Sequence, residues 1–176
     1  MKTPKIIIMA VLVAFFCCSG GAAEKAVTAG LATLTMPDGS KVEAELALTG
    51  PAQARGLMYR ESLAYNAGML FVFQSQESRT FWMKNTYISL DIVFLDGDMK
   101  VQNIFHRVPR SVPGQPEQEL SKVSAPARYV LELAAGKARK CGLKPGSVIK
   151  SSFQPAKKAP AAKSASPAAA GRLRKQ

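Results

Sequence analysis

The chain has 176 residues, 47% of them hydrophobic, with 24 Lys/Arg, 12 Asp/Glu and one His, for a net charge of +12. That length holds one ordinary domain, and the charge is unevenly spread: residues 24–149 carry 15 Lys/Arg and all 12 acids, whereas residues 150–176 carry seven Lys/Arg and no acid. A globular part near +3 lacks the clustered basic footprint of a nucleic-acid binder, so no nucleic-acid partner is expected.

In chain order, Lys2 and Lys5 precede an apolar run from Ile6 to Phe16, followed by Cys17, Cys18 and the small residues Ser19 to Ala23. This is the three-part layout of a secretory signal over residues 1–23, with cleavage expected after Ala23 and a periplasmic or extracellular destination. The run falls well short of the roughly 20 apolar residues a membrane span requires. Acylation of Cys17 or Cys18 is the lipid-anchored alternative, which Phe16 disfavours because a small residue belongs before the acylated Cys. After cleavage Cys141 stands alone, so no internal disulfide is expected.

Residues 24–153 read as a single β-rich domain, mainly β or α+β, in which a small curled antiparallel sheet or barrel carries two short helices. Leu31–Met36 and Val42–Leu48 flank Pro37-Asp38-Gly39-Ser40, a hairpin signal. Thr49 is placed to cap a helix from Pro51 to about Met58, since its hydroxyl can accept from the free N–H groups of a first turn that tolerates Pro. Met69–Phe73 and Thr80–Met83 read as two short strands. Ile88–Leu95 and Lys100–Phe105 form a second hairpin around Asp96-Gly97-Asp98. His106–Ser124, with three prolines, reads as a long loop, Arg128–Leu133 as a strand, Ala134–Cys141 as a helix and Val148–Phe153 as a closing strand. Residues 154–176 are read as a disordered basic tail. From Pro155 onward there are eight Ala, six Lys/Arg and three Pro with one large apolar residue, Leu173, too little to offset the entropy of ordering. The tail's expected role is solubility, or contact with anionic polymers or lipid headgroups.

Chemistry concentrates in Phe81-Trp82-Met83-Lys84-Asn85-Thr86, which joins the only Trp to polar side chains, and in the following run Leu90-Asp91-Ile92-Val93-Phe94. Together with Arg55-Gly56-Leu57-Met58-Tyr59-Arg60, Gly68-Met69-Leu70-Phe71-Val72-Phe73, Tyr129-Val130-Leu131-Glu132-Leu133, Gly136 and Gly142, these segments resemble the uncharacterised bacterial and archaeal family catalogued as domain of unknown function 192. The resemblance runs over roughly residues 30–153. It implies a compact, β-rich, often exported domain and supplies no catalytic role.

Three functional classes stand against one another. Asp91 and Glu132 are the carboxylate pair that a hydrolase would use, though buried carboxylates are more often structural acceptors or ion-pair partners. Met58, Met69 and Met83, with Trp82 and His106, would suit Cu(I), although Met commonly fills gaps in aromatic cores. Arg55, Arg60, Trp82, Lys84, Asn85 and Thr86 would form an aromatic platform with cationic and amide donors, matched to a glycan or an anionic small ligand of the envelope. No nucleophile elbow, zinc-protease motif, phosphate loop or dinucleotide fingerprint is present, so no cofactor is expected and binding ranks above catalysis.

Overall fold

A computed structural model describes residues 30–153. The signal-peptide and tail readings, including Cys17 and Cys18, lie outside the described residues. No helix among those residues is long and apolar enough to cross a membrane.

Seven strands form one curled sheet: β1 (Leu31–Thr35), β2 (Lys41–Ala47), β3 (Ala67–Trp82), β4 (Leu90–Leu95), β5 (Val101–Val108), β6 (Lys122–Ala134) and β7 (Lys150–Ser151). Their order across the sheet is β5-β4-β6-β3-β2-β1-β7. Two short helices, α1 (Gly50–Arg55) and α2 (Lys137–Lys140), complete the domain with a 3-10 turn at Glu117–Glu119. The sheet is not wholly antiparallel as expected: β2 and β3 run parallel, because α1 carries the chain across between them.

Both anticipated hairpins form where their turn residues sit. The Asp38 carboxylate accepts from the Ser40 N–H at 2.9 Å, and the Asp96 carboxylate accepts from the N–H groups of Asp98 and Lys100. Thr49 caps α1 through Ala52 N–H at 3.3 Å. The helix ends earlier than expected, at Arg55, because Gly56 leaves helical backbone with φ 49°. The two runs expected at 69–73 and 80–83 are one strand, β3. Its pairing with β6 is interrupted between Val72 and Glu77, where four residues of β3 stand against Arg128 alone. This bulge bends the strand and tilts its second half away from the first. The long loop is shorter than its prolines implied. β6 begins at Lys122 and runs through Pro126, which is tolerated because β4 pairs only with the far end of β6, residues 129–134.

The edges of the sheet are stitched together. Ser147 accepts from Val101 N–H at 2.8 Å, and Ile149 N–H donates to the Met99 carbonyl at 3.1 Å. Immediately afterwards, Lys150 and Ser151 pair with Thr35 and Leu34 of β1. One short segment therefore joins the strand at one edge to the strand at the other.

Alternation divides the apolar residues between two faces. Leu34, Val42, Leu46, Leu70, Val93, Leu95, Leu131 and Leu133 fill the inside of the curl. Met69, Phe71, Leu90, Ile92, Phe94 and Val130 face the other way, under Ala52, Leu57 and Met83. β4 is buried at all six positions because it is covered on both faces. Cys141 lies fully inside, its thiol donating to the Lys137 carbonyl at 3.0 Å, and burial pushes its pKa up, which marks an inert thiol.

Candidate functional site

The outer face of the sheet carries a cleft of about 390 Å³. On one side stands the end of α1 with the turn after it, residues 53–58; on the other stands the tilted second half of β3, residues 78–82. Phe71, Phe73 and Phe81 build its apolar wall, with Phe71 and Phe81 edge to face at 4.8 Å between centroids. The side-chain amide of Gln53 anchors the α1 side of the cleft to β2 and to β3 just before the bulge. It donates to the Ala47 carbonyl at 3.2 Å and to the Val72 carbonyl at 2.8 Å, the latter at the start of the bulge. Gly56 keeps the cleft open: a Cβ there would stand 3.2 Å from the Phe71 ring and 3.9 Å from Glu132 Oε2, and φ 49° disfavours a side chain in any case.

Glu132 reaches this cleft from β6. Its residue is 7% exposed, and Oε2 is buried without a hydrogen-bond partner. Burial pushes its pKa up to about 8, against a smaller lowering by the Arg60 charge. At neutral pH the carboxyl is thus mainly the neutral acid. A second unpartnered polar atom belongs to the same cleft, the buried Nε of Arg79. That guanidinium stacks 4.2 Å from the Phe73 centroid, donates to the Ser75 carbonyl at 3.0 Å and lies 3.4 Å from Glu77.

The sequence-selected residues divide. Arg55, Trp82, Thr86, Met58 and Glu132 line the cleft; Arg60, Lys84, Asn85, Asp91, Met69, Met83 and His106 do not. Arg55 has no carboxylate partner among the described residues. Arg60 is engaged by Glu45 in a two-pronged ion pair of 2.6 and 2.7 Å, which raises its pKa. Trp82 is 39% exposed, and the ammonium groups of Lys84 and Lys122 lie 4.9 and 5.9 Å from its ring centroid. Lys84 also pairs with Glu117. Asn85, with φ 50°, donates through its amide to the Tyr59 hydroxyl at 2.8 Å, while its carbonyl accepts from Tyr59 N–H at 2.7 Å. The buried Thr86 donates through its N–H to the Ser111 hydroxyl at 3.1 Å. Residues 84–86 thus tie the turn after α1 to the end of β3, and their polar groups are largely satisfied within the fold.

The carboxylate pair is corrected by the register. Ile92 stands opposite Glu132 and Asp91 opposite Leu133, so Asp91 and Glu132 point to opposite faces of the sheet. Asp91 is fully buried, with one oxygen accepting from Arg107 N–H at 2.8 Å and the other from Ala138 N–H at 2.9 Å. A two-carboxylate hydrolase using these residues is therefore ruled out. The copper set is dispersed for the same reason. Met69, the partner of Glu132 in β3, and Met83 are packed at 2% and 1% exposure in the outer-face cluster, whereas His106 lies 3.9 Å from Asp91 on the opposite face. Residues missed by the sequence reading are Gln53, Ser78, Arg79 and Thr80. The period-two spacing of Arg79 and Phe81 on one face with Phe73 was the available signal for Arg79.

The family model for domain of unknown function 192, described as an uncharacterised ACR, matches residues 33–151. The chain belongs to this family. Its fold is similar to the crystal structure of a protein from Sinorhizobium meliloti 1021 described as a candidate transcription regulator, at 33% identity and a TM-score of 0.58, covering 69% of this chain and 92% of that one. It is likewise similar to a protein of unknown function from Novosphingobium aromaticivorans DSM 12444, at 36% identity and a TM-score of 0.55, covering 68% and 83%. No functionally curated protein matches.

Proposed function

We propose that this domain is an exported binding module whose outer cleft takes a compact anionic ligand with a flat body, an acidic sugar of an envelope glycan being the favoured class. One observation carries the reading: two unpartnered buried polar atoms, Glu132 Oε2 and Arg79 Nε, belong to one aromatic-walled cleft. Buried polar groups in folded proteins normally have partners, and leaving them unmade costs stability unless a ligand or water supplies the bond. The volume falls in the range of small-ligand sites. Arg55 and Arg79 supply positive charge for a carboxylate, and Trp82 with the phenylalanine wall supplies apolar area for a ring. Export is supported by the signal layout of residues 1–23, and N-terminal sequencing of the native protein should then begin near Glu24.

The description of the Sinorhizobium meliloti protein would translate here into DNA binding. A charge near +3 over residues 24–149 gives little electrostatic support for that. Titration with galacturonate and with uncharged galactose, read by Trp82 fluorescence and by thermal shift, tests the proposal. Galacturonate should bind more tightly than galactose, and Arg79→Ala should remove the difference. Equal response to both sugars, or salt-sensitive binding of duplex DNA alone, would overturn it.

A further inference from the structure

The inner end of the cleft has its own chemistry, and it is set by what faces Glu132. On its side of the sheet stand Met69, Phe71, Ile92 and Val130, all buried and apolar. The charge that acts on it is that of Arg60 after α1, itself held by Glu45 of β2, and the other charged residues lining the cleft, Arg55 and Arg79, are cationic. Asp91 is on the far face of the sheet, so no second carboxylate lines the cleft among the described residues. Oε2 has no partner within the protein.

We propose that Glu132 serves as a neutral hydrogen-bond donor at the inner end of the cleft, so that the site selects ligands presenting an oxygen acceptor there and rejects amines. This rests on the reading of the cleft as a ligand site. A protonated carboxyl offers one O–H, and a ligand carbonyl or carboxylate oxygen can accept it. An ammonium group would require the ionised carboxylate, which burial disfavours, in a cleft whose other charged lining residues, Arg55 and Arg79, are cationic. The arrangement also makes binding sensitive to pH. With the carboxyl raised to about 8, the donor is present at pH 7 and lost as pH rises beyond that value.

Three para-substituted benzoates separate these ideas, because each keeps a ring and a carboxylate while the other end changes: 4-acetylbenzoate carries an acceptor, 4-ethylbenzoate carries none and 4-(aminomethyl)benzoate carries an ammonium. Calorimetric titration of the protein should rank the acetyl compound first. Its affinity should fall about tenfold between pH 7 and pH 9, the change expected when only the protonated form of a group titrating near 8 binds. Glu132→Gln retains an N–H donor, so it should keep most of the affinity and lose the pH dependence; Glu132→Ala should lose the preference for the acetyl group. Infrared difference spectra of the unliganded protein supply a readout independent of any ligand. A protonated-carboxyl band should be present at pH 7, absent in Glu132→Gln, and titrate near pH 8. Tightest binding of the aminomethyl compound, affinity that is flat or rises with pH, or absence of that band would overturn the donor role while leaving the cleft as a ligand site. No binding by any benzoate or by galacturonate would overturn the site itself and the donor role with it.

Discussion

Asp91 and Glu132 sit one register position apart on neighbouring strands, both almost wholly removed from water, yet their surroundings are opposite. Asp91 faces the inside of the curl, where the N–H groups of Arg107 and Ala138 each reach one of its oxygens. Glu132 faces outward into the aromatic cleft with an oxygen that nothing in the protein satisfies. The first carboxylate fastens β5 and α2 to β4. The second is held in an environment that opposes its charge, which is the feature the proposed ligand site rests on. Burial alone therefore does not tell a structural acid from a functional one. The count of donors around it is what separates these two acids.

The comparison can be broken most sharply at Asp91. Asp91→Asn leaves one backbone N–H facing an amide donor in a dry site and should destabilise the fold by about 3 kcal/mol in urea unfolding. A variant as stable as the parent would show that Asp91 is not the fastening described. Glu132→Gln should act in the opposite direction. The folded-state carboxyl titrates near 8 and the unfolded one near 4.5, so between those values the native state binds a proton that the unfolded state has released, and parental stability falls as pH rises through the window. The variant lacks this loss and should gain on the order of 3 kcal/mol over the parent at pH 7, with little difference at pH 4. A gain that is the same at both pH values would contradict the raised pKa.

Two smaller effects sharpen the picture of the cleft. Gln53→Ala removes two hydrogen bonds to carbonyls at the end of β2 and the start of the bulge, and should cost about 2 kcal/mol while weakening ligand binding, because the α1 side of the cleft loses its anchor to the sheet. Glu45→Gln breaks a half-buried ion pair, worth about 1 kcal/mol in chemical denaturation. Arg60→Ala should, in addition, push the Glu132 titration further upward, since the Arg60 charge is what lowers it. An unchanged infrared titration in Arg60→Ala would remove Arg60 from the electrostatics of the site.

What was legible in the sequence was local. Turn chemistry at Pro37–Ser40 and Asp96–Asp98, and the cap at Thr49, depend on residues within a few positions of one another, and all three form as expected. The family resemblance also held over the domain. β3 was read as two strands, whereas the polar residues between them form a bulge at whose start the Val72 carbonyl accepts from the distant Gln53. Glu132 was singled out as a carboxylate in an apolar run, but its face could not be known before the register with β4 was known. Lys84 and Asn85 were selected on composition, and contacts distant in sequence, with Glu117 and Tyr59, engage them within the fold.

The stitch formed by residues 146–152 also orders events in time. Those residues are among the last of the domain to be synthesised, and they bond at one end to the strand containing Val101 and at the other to the strand containing Leu34. Every earlier hairpin can form without them, but the ring cannot shut until the segment ending at Ser152 is available. Until then the borders of β1 and β5 stand open to other chains, so a form truncated short of residue 146 should be the aggregation-prone species.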